Sequence, residues 1–353
     1  MAKREIKYFE AIHEAIDLSL RHDSSVYLMG LGVPDPKGIF GTTLGLQKKF
    51  GPNRVMDMPC SENAMTGVAI GSAIAGMRPI MTHQRVDFAI LAMEQIVNQA
   101  AKWHYMFSGQ LNVPLVIRLI IGRGWGQGPQ HSQSLESWFA HIPGLKVVMP
   151  TTPYDAKGLL ISGVKDNNPV IFLEHRWLYS LSGHVPEKTY TVPIGKSKVL
   201  RKGSDITIVA TSYMAIEALH ASHYLESLGI ECEVIDLRTL RPLDDSPIIT
   251  SVKKTGRLLV IDTGWSSFGI GAEVIARVTE NAFSSLNSPP HRIGLPDGPT
   301  PTSPALSKYF YPRAESIVKT VLKILNRDYK HIEIPQMHEG PLDIPDTSFT
   351  GPF

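Results

Sequence analysis

Met58-Pro59-Cys60-Ser61-Glu62-Asn63-Ala64-Met65-Thr66-Gly67 follows a short apolar segment at 54–58 and opens a run of small residues that ends at Gly76. The segment reads as a strand that stops at Pro59, with Ser61 placed to cap a helix. Glu62 then falls at the helix N-terminus and at the C-terminal end of the strand, where ligands bind in open α/β sheets. From position alone Glu62 is either an acid favoured by the helix dipole or a catalytic carboxyl group. The helix carries Gly67, Gly71 and Ala75 at i, i+4, i+8. That stripe has almost no side chain and lets another backbone approach closely.

Outward from this stretch, strand-like and helix-like segments alternate. Residues 6–20 have the spacing of an amphipathic helix and 26–31 of a buried strand. A loop rich in Pro and Gly covers 32–41 and a short helix 44–50. Residues 88–103 read as a helix with Ile90, Met93, Ile96, Val97 and Ala100 on one face, and 114–121 as an apolar strand. The loop Gly122-Arg123-Gly124-Trp125-Gly126-Gln127-Gly128 leads into Gln130-His131-Ser132. The alternation continues to 173, lapses at 182–197 and resumes at 206. It predicts an α/β fold of mostly parallel strands covered on both faces. The expected domains are residues 1–181 and 198–328, joined by a linker at 182–197. The tail, 329–353, holds prolines and scattered apolar residues. It is either a disordered terminus or an extended arm on the body or a partner.

The 353 residues suffice for two domains, and a formal charge of +2 gives no electrostatic case for nucleic acid or an anionic membrane. No apolar run approaches a membrane span, and no apolar signal core follows Met1 to Lys7. Cys60 and Cys232 match no metal or redox spacing, so free thiols in the cytoplasm are expected. The glycines at 122–128 make a weak nucleotide fingerprint, because Arg123, Trp125 and Pro129 interrupt them; an active-site loop fits better. His131 sits at a strand-to-helix crossing, where it is either structural or catalytic. The Asp-Gly pair at 297–298 lies between prolines, so the Gly-Asp-Gly expected of a chain holding a magnesium diphosphate is missing.

Several motifs in order carry a resemblance: Ser61-Glu62, Gly76-Met77-Arg78-Pro79, residues 95–102 (QIVNQAAK), residues 130–134 (QHSQS) and residues 143–148 (PGLKVV). Asp155-Ala156-Lys157-Gly158-Leu159, residues 236–242 (DLRTLRP) and Pro299-Thr300-Pro301 continue it. Over roughly residues 5–325 the chain resembles the β subunits of thiamine-diphosphate-dependent 2-oxo acid dehydrogenase E1 enzymes, in the transketolase superfamily. The resemblance implies a pyrimidine-binding domain followed by a smaller transketolase C-terminal-type domain. It also implies an α2β2 enzyme whose α-type subunit holds the diphosphate and Mg2+, and it explains the missing Gly-Asp-Gly. Glu62 matches the family's partner for pyrimidine N1′, which favours the imino tautomer of the cofactor's amino group and reverses the balance of the positional reading. Phe88 matches the aromatic stacked on the pyrimidine, Gln84 a polar pocket position and His131 a histidine at the active-site mouth. The resemblance also implies that Cys60 takes part in binding the cofactor. Some relatives hold a structural potassium ion near the positions of Val113, Leu115, Val116, Gly163, Asp166 and Asn168.

Thr82-His83, Arg85, the bulky loop 119–128 and the tail depart from the family pattern and leave the substrate open. Arg85 and Arg123 are either surface charges or ligands for an anionic or polar substrate. The leading expectation is 2-oxo acid decarboxylation with acyl transfer to a lipoyl acyltransferase. The alternative keeps the cofactor but joins the acyl or ketol unit to an aldehyde or sugar, as a two-chain transketolase does. A non-catalytic scaffold subunit is the reading of another class.

Overall fold

The computed structural model describes residues 4–124, 126–328, 331–338 and 340–349. Trp125 and part of the tail lie outside the described residues. In chain order the strands are β1 (Glu5–Lys7), β2 (Val26–Met29), β3 (Val55–Met56), β4 (Arg78–His83), β5 (Val116–Ile121), β6 (Lys146–Val148) and β7 (Val170–His175). They continue as β8 (Ser182–His184), β9 (Lys198–Arg201), β10 (Ile206–Ala210), β11 (Cys232–Asp236), β12 (Thr239–Arg241), β13 (Leu258–Trp265) and β14 (His291–Leu295).

Two sheets organise the chain. The first has the order β12-β6-β7-β5-β4-β2-β3, and its members are parallel except for β12. The second has the order β14-β13-β10-β11-β9, parallel except for β9. β2, β5 and β7 are buried along their whole length, as strands covered on both faces must be. One apolar cluster fills the space from Met29 and Ile70 on one side of the first sheet to Val260 and Val274 beside the second. The two sheets therefore share a continuous core.

The helix from Tyr8 to His22 begins two residues later than the apolar spacing suggests, because Glu5–Lys7 pair with β8 inside the expected linker. The helical stretch near residue 90 is broken into Val86–Ala89, a 3-10 turn at Ile90–Ala92 and a π-helix at Gln95–Ala100. Ala101 N–H donates to the Ile96 carbonyl at 3.1 Å, an i→i−5 bond. Apolar spacing cannot tell this winding from a regular helix, since Ile96 and Ala100 are buried in both. The strands β9 and β12 carry no long apolar run, so apolar spacing does not predict them.

Gly144 has φ +98°, and a Cβ there would lie 1.8 Å from the Ala101 carbonyl oxygen. Gly144→Ala is expected to destabilise the chain by more than ~1 kcal/mol, read as a lowered urea midpoint. An unchanged midpoint would mean that the turn relaxes freely.

Candidate active site

The cleft lies at the C-terminal ends of the first sheet's strands. Gln84 and Arg85 follow β4, the loop from Gly122 follows β5, and Arg176 follows β7. With Phe40, Phe88 and His131 they line an open cleft of about 980 Å³. Phe88 and His131 meet edge to face, ring centroids 5.4 Å apart at 87°. The ring nitrogens of His131 have no partner among the described residues. Gln84 Nε2 donates to the Leu31 carbonyl at 3.0 Å, which fixes its amide at the rim.

Glu62 begins the helix Glu62–Ile74, after β3, and stands outside the lining of this cleft. It is 7% exposed, yet among the described residues its carboxyl group has neither a hydrogen bond nor an ion pair. Ser61 occupies the N-cap position without a side-chain capping bond, contrary to expectation. Its ψ of 71° is not the usual extended value. Cys60 is an exposed free thiol. On the same helix Val68 is 55% exposed, and a Cβ added at Gly71 would meet nothing within 4 Å. Among the described residues this small-residue face has no partner across Gly71.

Under the cleft, Arg118 and Glu174 form a bidentate ion pair at 2.6 and 2.9 Å, both side chains fully buried. Arg118 also donates to Thr42 Oγ1 at 3.0 Å, and Tyr179 Oη donates to Glu174 at 2.6 Å. The pair thus ties the loop after β2, which carries Phe40, to β5 and β7. Burial lowers the His83 pKa to about 4. Burial, then Arg85 and Arg313, lower that of His175 to about 3, so both imidazoles are neutral. Arg85 is lowered to about 10, by burial first and by Arg176 second, and stays charged at neutral pH.

The segments named for potassium do converge. However, the Leu115 carbonyl accepts from Val170 N–H at 2.8 Å and the Gly163 carbonyl from Asp166 N–H at 3.2 Å. Arg78 donates to the Asp166 carbonyl at 3.0 Å, and Asp166 Oδ1 accepts from Asn168 at 2.9 Å. A potassium ion here would share the Asp166 carbonyl with the Arg78 guanidinium.

Residues 4–181 match the pyrimidine-binding domain of transketolase, and residues 195–317 its C-terminal domain. The chain is 43% identical over 332 residues to the acetoin:2,6-dichlorophenolindophenol oxidoreductase subunit beta of Cupriavidus necator, covering 91% of this chain and 98% of that one. It is 43% identical over 320 residues, with the same coverage, to the pyruvate dehydrogenase E1 component subunit beta of Rickettsia bellii. The chain belongs to the E1 β-subunit family of the transketolase superfamily. The mouse mitochondrial pyruvate dehydrogenase E1 β subunit is 42% identical over 90% of each chain. A solved split-gene transketolase, described as an inactive β4 tetramer, shares the fold with a TM-score of 0.73 at 23% identity, covering 91% of this chain and 99% of that one. The family is thiamine-diphosphate-dependent. In this E1 β-type chain the residues fit the aminopyrimidine end of that cofactor: a buried carboxyl group without a protein partner, a half-buried aromatic ring and a fixed amide. Among the described residues no group of three or more His, Cys, Asp or Glu side chains is placed to hold a metal ion.

The cleft brings Gln84, Phe88 and His131 together, while Glu62 and Cys60 stand beside it rather than in its lining. Sequence reasoning missed Phe40, Arg176 and the Arg118–Glu174 pair. A lone charge inside each of two apolar strands, β5 and β7, was the available signal, since buried charges must be paired.

Proposed function

We propose that this chain is the β component of a two-chain thiamine-diphosphate enzyme that decarboxylates a 2-oxo acid and passes the acyl group to a lipoyl acyltransferase. The buried, partnerless carboxyl group of Glu62 carries the reading, because a family chain needs an acid free to meet the pyrimidine. Thiamine diphosphate, when bound, supplies a carbon nucleophile that attacks the substrate carbonyl. Glu62 would hold a proton at pyrimidine N1′, Phe88 would face the ring, and Gln84 would orient it. His131, with free ring nitrogens at the cleft mouth, would exchange a proton with the substrate. The diphosphate and its Mg2+ fall to the α-type chain, in an α2β2 assembly. The free thiols of Cys60 and Cys232 suit a cytoplasmic setting. No helix among the described residues is long and apolar enough to cross a membrane.

The test uses the purified α/β pair. Reductive acylation of a lipoyl domain from a 2-oxo acid supports this reading, and aldehyde ligation without lipoyl acylation overturns it. A second reading, oxidation of an acyloin, has support in the acetoin relative, which is as similar as the pyruvate one. Acetoin turnover with no 2-oxo acid turnover would select it.

Gly71→Leu probes the partner face. Leu is the better helix former by about 0.5–1 kcal/mol, so the isolated chain should melt no lower than the parent. Co-purification with the α-type chain should be lost. Retained assembly would move the interface elsewhere.

A further inference from the structure

Three arginines stand behind the cleft, and their hydrogen bonds differ. Arg123 pairs with the Asp343 carboxylate and donates to the Thr302 carbonyl at 2.7 Å and the Gln127 carbonyl at 2.9 Å. Arg85 donates to the Gly122 carbonyl at 2.6 Å and to Gln127 Oε1 at 2.5 Å. Arg176 lines the cleft and is 8% exposed, but its guanidinium makes no hydrogen bond or ion pair among the described residues. Its Nε is buried without an acceptor. The rings of Phe40, Phe349 and Tyr179 surround it, with centroids 4.8, 4.9 and 5.1 Å away. Ring faces attract the charge but accept nothing from the in-plane N–H groups. A buried guanidinium left in this state is matched by the two oxygens of a carboxylate or phosphate.

The surroundings favour the same occupant. The cleft's formal charges are Lys37, Arg85 and Arg176 against Asp35 alone, with His131 set aside. Behind the cleft packs the C-terminal arm, which lies beyond residue 317, where the family match ends. Arg313 holds this arm by donating to the Ile344 carbonyl at 3.1 Å. The arm then sets Phe349 against Arg176 and Asp343 against Arg123. Asp343 neutralises Arg123 and leaves Arg176 without a carboxylate.

We propose that Arg176, backed by Arg85, binds an anionic group that the substrate carries away from its reacting carbonyl, a carboxylate or a phosphate. The inference rests on the proposed decarboxylase reading for its substrate, but the anion site belongs to this chain alone. It is tested in two ways. Malonate and inorganic phosphate are titrated calorimetrically into the full chain and into Arg176→Gln and Arg176→Lys, with melting curves to establish folding. Saturable binding by the parent, weakened about 10-fold or more in Arg176→Gln and partly restored in Arg176→Lys, is expected. No binding by the parent, or equal binding by Arg176→Gln, overturns the proposal. In the α/β complex, Arg176→Gln should raise KM for 2-oxoglutarate about 10-fold and leave KM for 2-oxobutyrate and for thiamine diphosphate within about 2-fold. A rise in KM for thiamine diphosphate alone would assign the anion to the cofactor and overturn the substrate assignment. If the complex decarboxylates neither acid, the decarboxylase reading fails, and the malonate and phosphate titrations still decide the site.

Discussion

Glu62→Gln in the assembled two-chain enzyme is expected to lower kcat by about 10²–10⁴-fold, the range of a lost proton-transfer partner. The glutamine keeps the size and polarity of the side chain but cannot hold the proton. Among the described residues Glu62 has no hydrogen bond or ion pair, so the substitution breaks none of their interactions. Folding and co-purification with the α-type chain should therefore be unchanged, as sedimentation would show. A kcat within a few-fold of the parent would reduce Glu62 to a helix-end acid and favour the scaffold reading. A loss of assembly along with activity would show that the carboxyl group is structural.

Glu174→Gln should be costly in another way. It leaves the Arg118 guanidinium charged in a site where both side chains are fully buried. Breaking one side of a buried pair costs about 3–5 kcal/mol, because the remaining charge cannot reach water. Arg118 would keep the hydroxyls of Thr42 and Thr82, which cannot neutralise it. Denaturant unfolding should show the loss as a lower midpoint at unchanged slope. The double variant Arg118→Met with Glu174→Leu should recover much of the loss, since it removes the orphaned charge as well as the pair. A single variant as stable as the parent would mean that water enters the site.

The order of strands and helices, and the parallel character of the first sheet, were legible because buried strands such as β5 and β7 are continuous apolar runs. The place of Glu62 followed from Pro59 and Ser61, which mark where a strand stops and a helix starts. What stayed hidden depends on distant parts of the chain. The two charges of the Arg118–Glu174 pair are 56 residues apart. The state of Arg176 depends on Phe349 and on the pairing of Asp343 with Arg123 instead. A scattered apolar residue in a tail does not announce the side chain it will cover. The helix near residue 90 was legible as an apolar face but not as a π turn, because that difference lies in backbone bonds rather than in spacing.

β12 comes from the second half of the sequence and closes the first sheet, pairing antiparallel with β6. Arg238, just before it, reaches Asp155 at 2.9 Å, and its carbonyl accepts from Met149 N–H. The boundary along the sequence is thus not a seam in space. A fragment ending in the linker would present β6 as a bare edge, ready to pair with a neighbouring copy. A truncation that cuts there would therefore favour aggregation, whereas one in the loop after β12 would leave the first sheet whole.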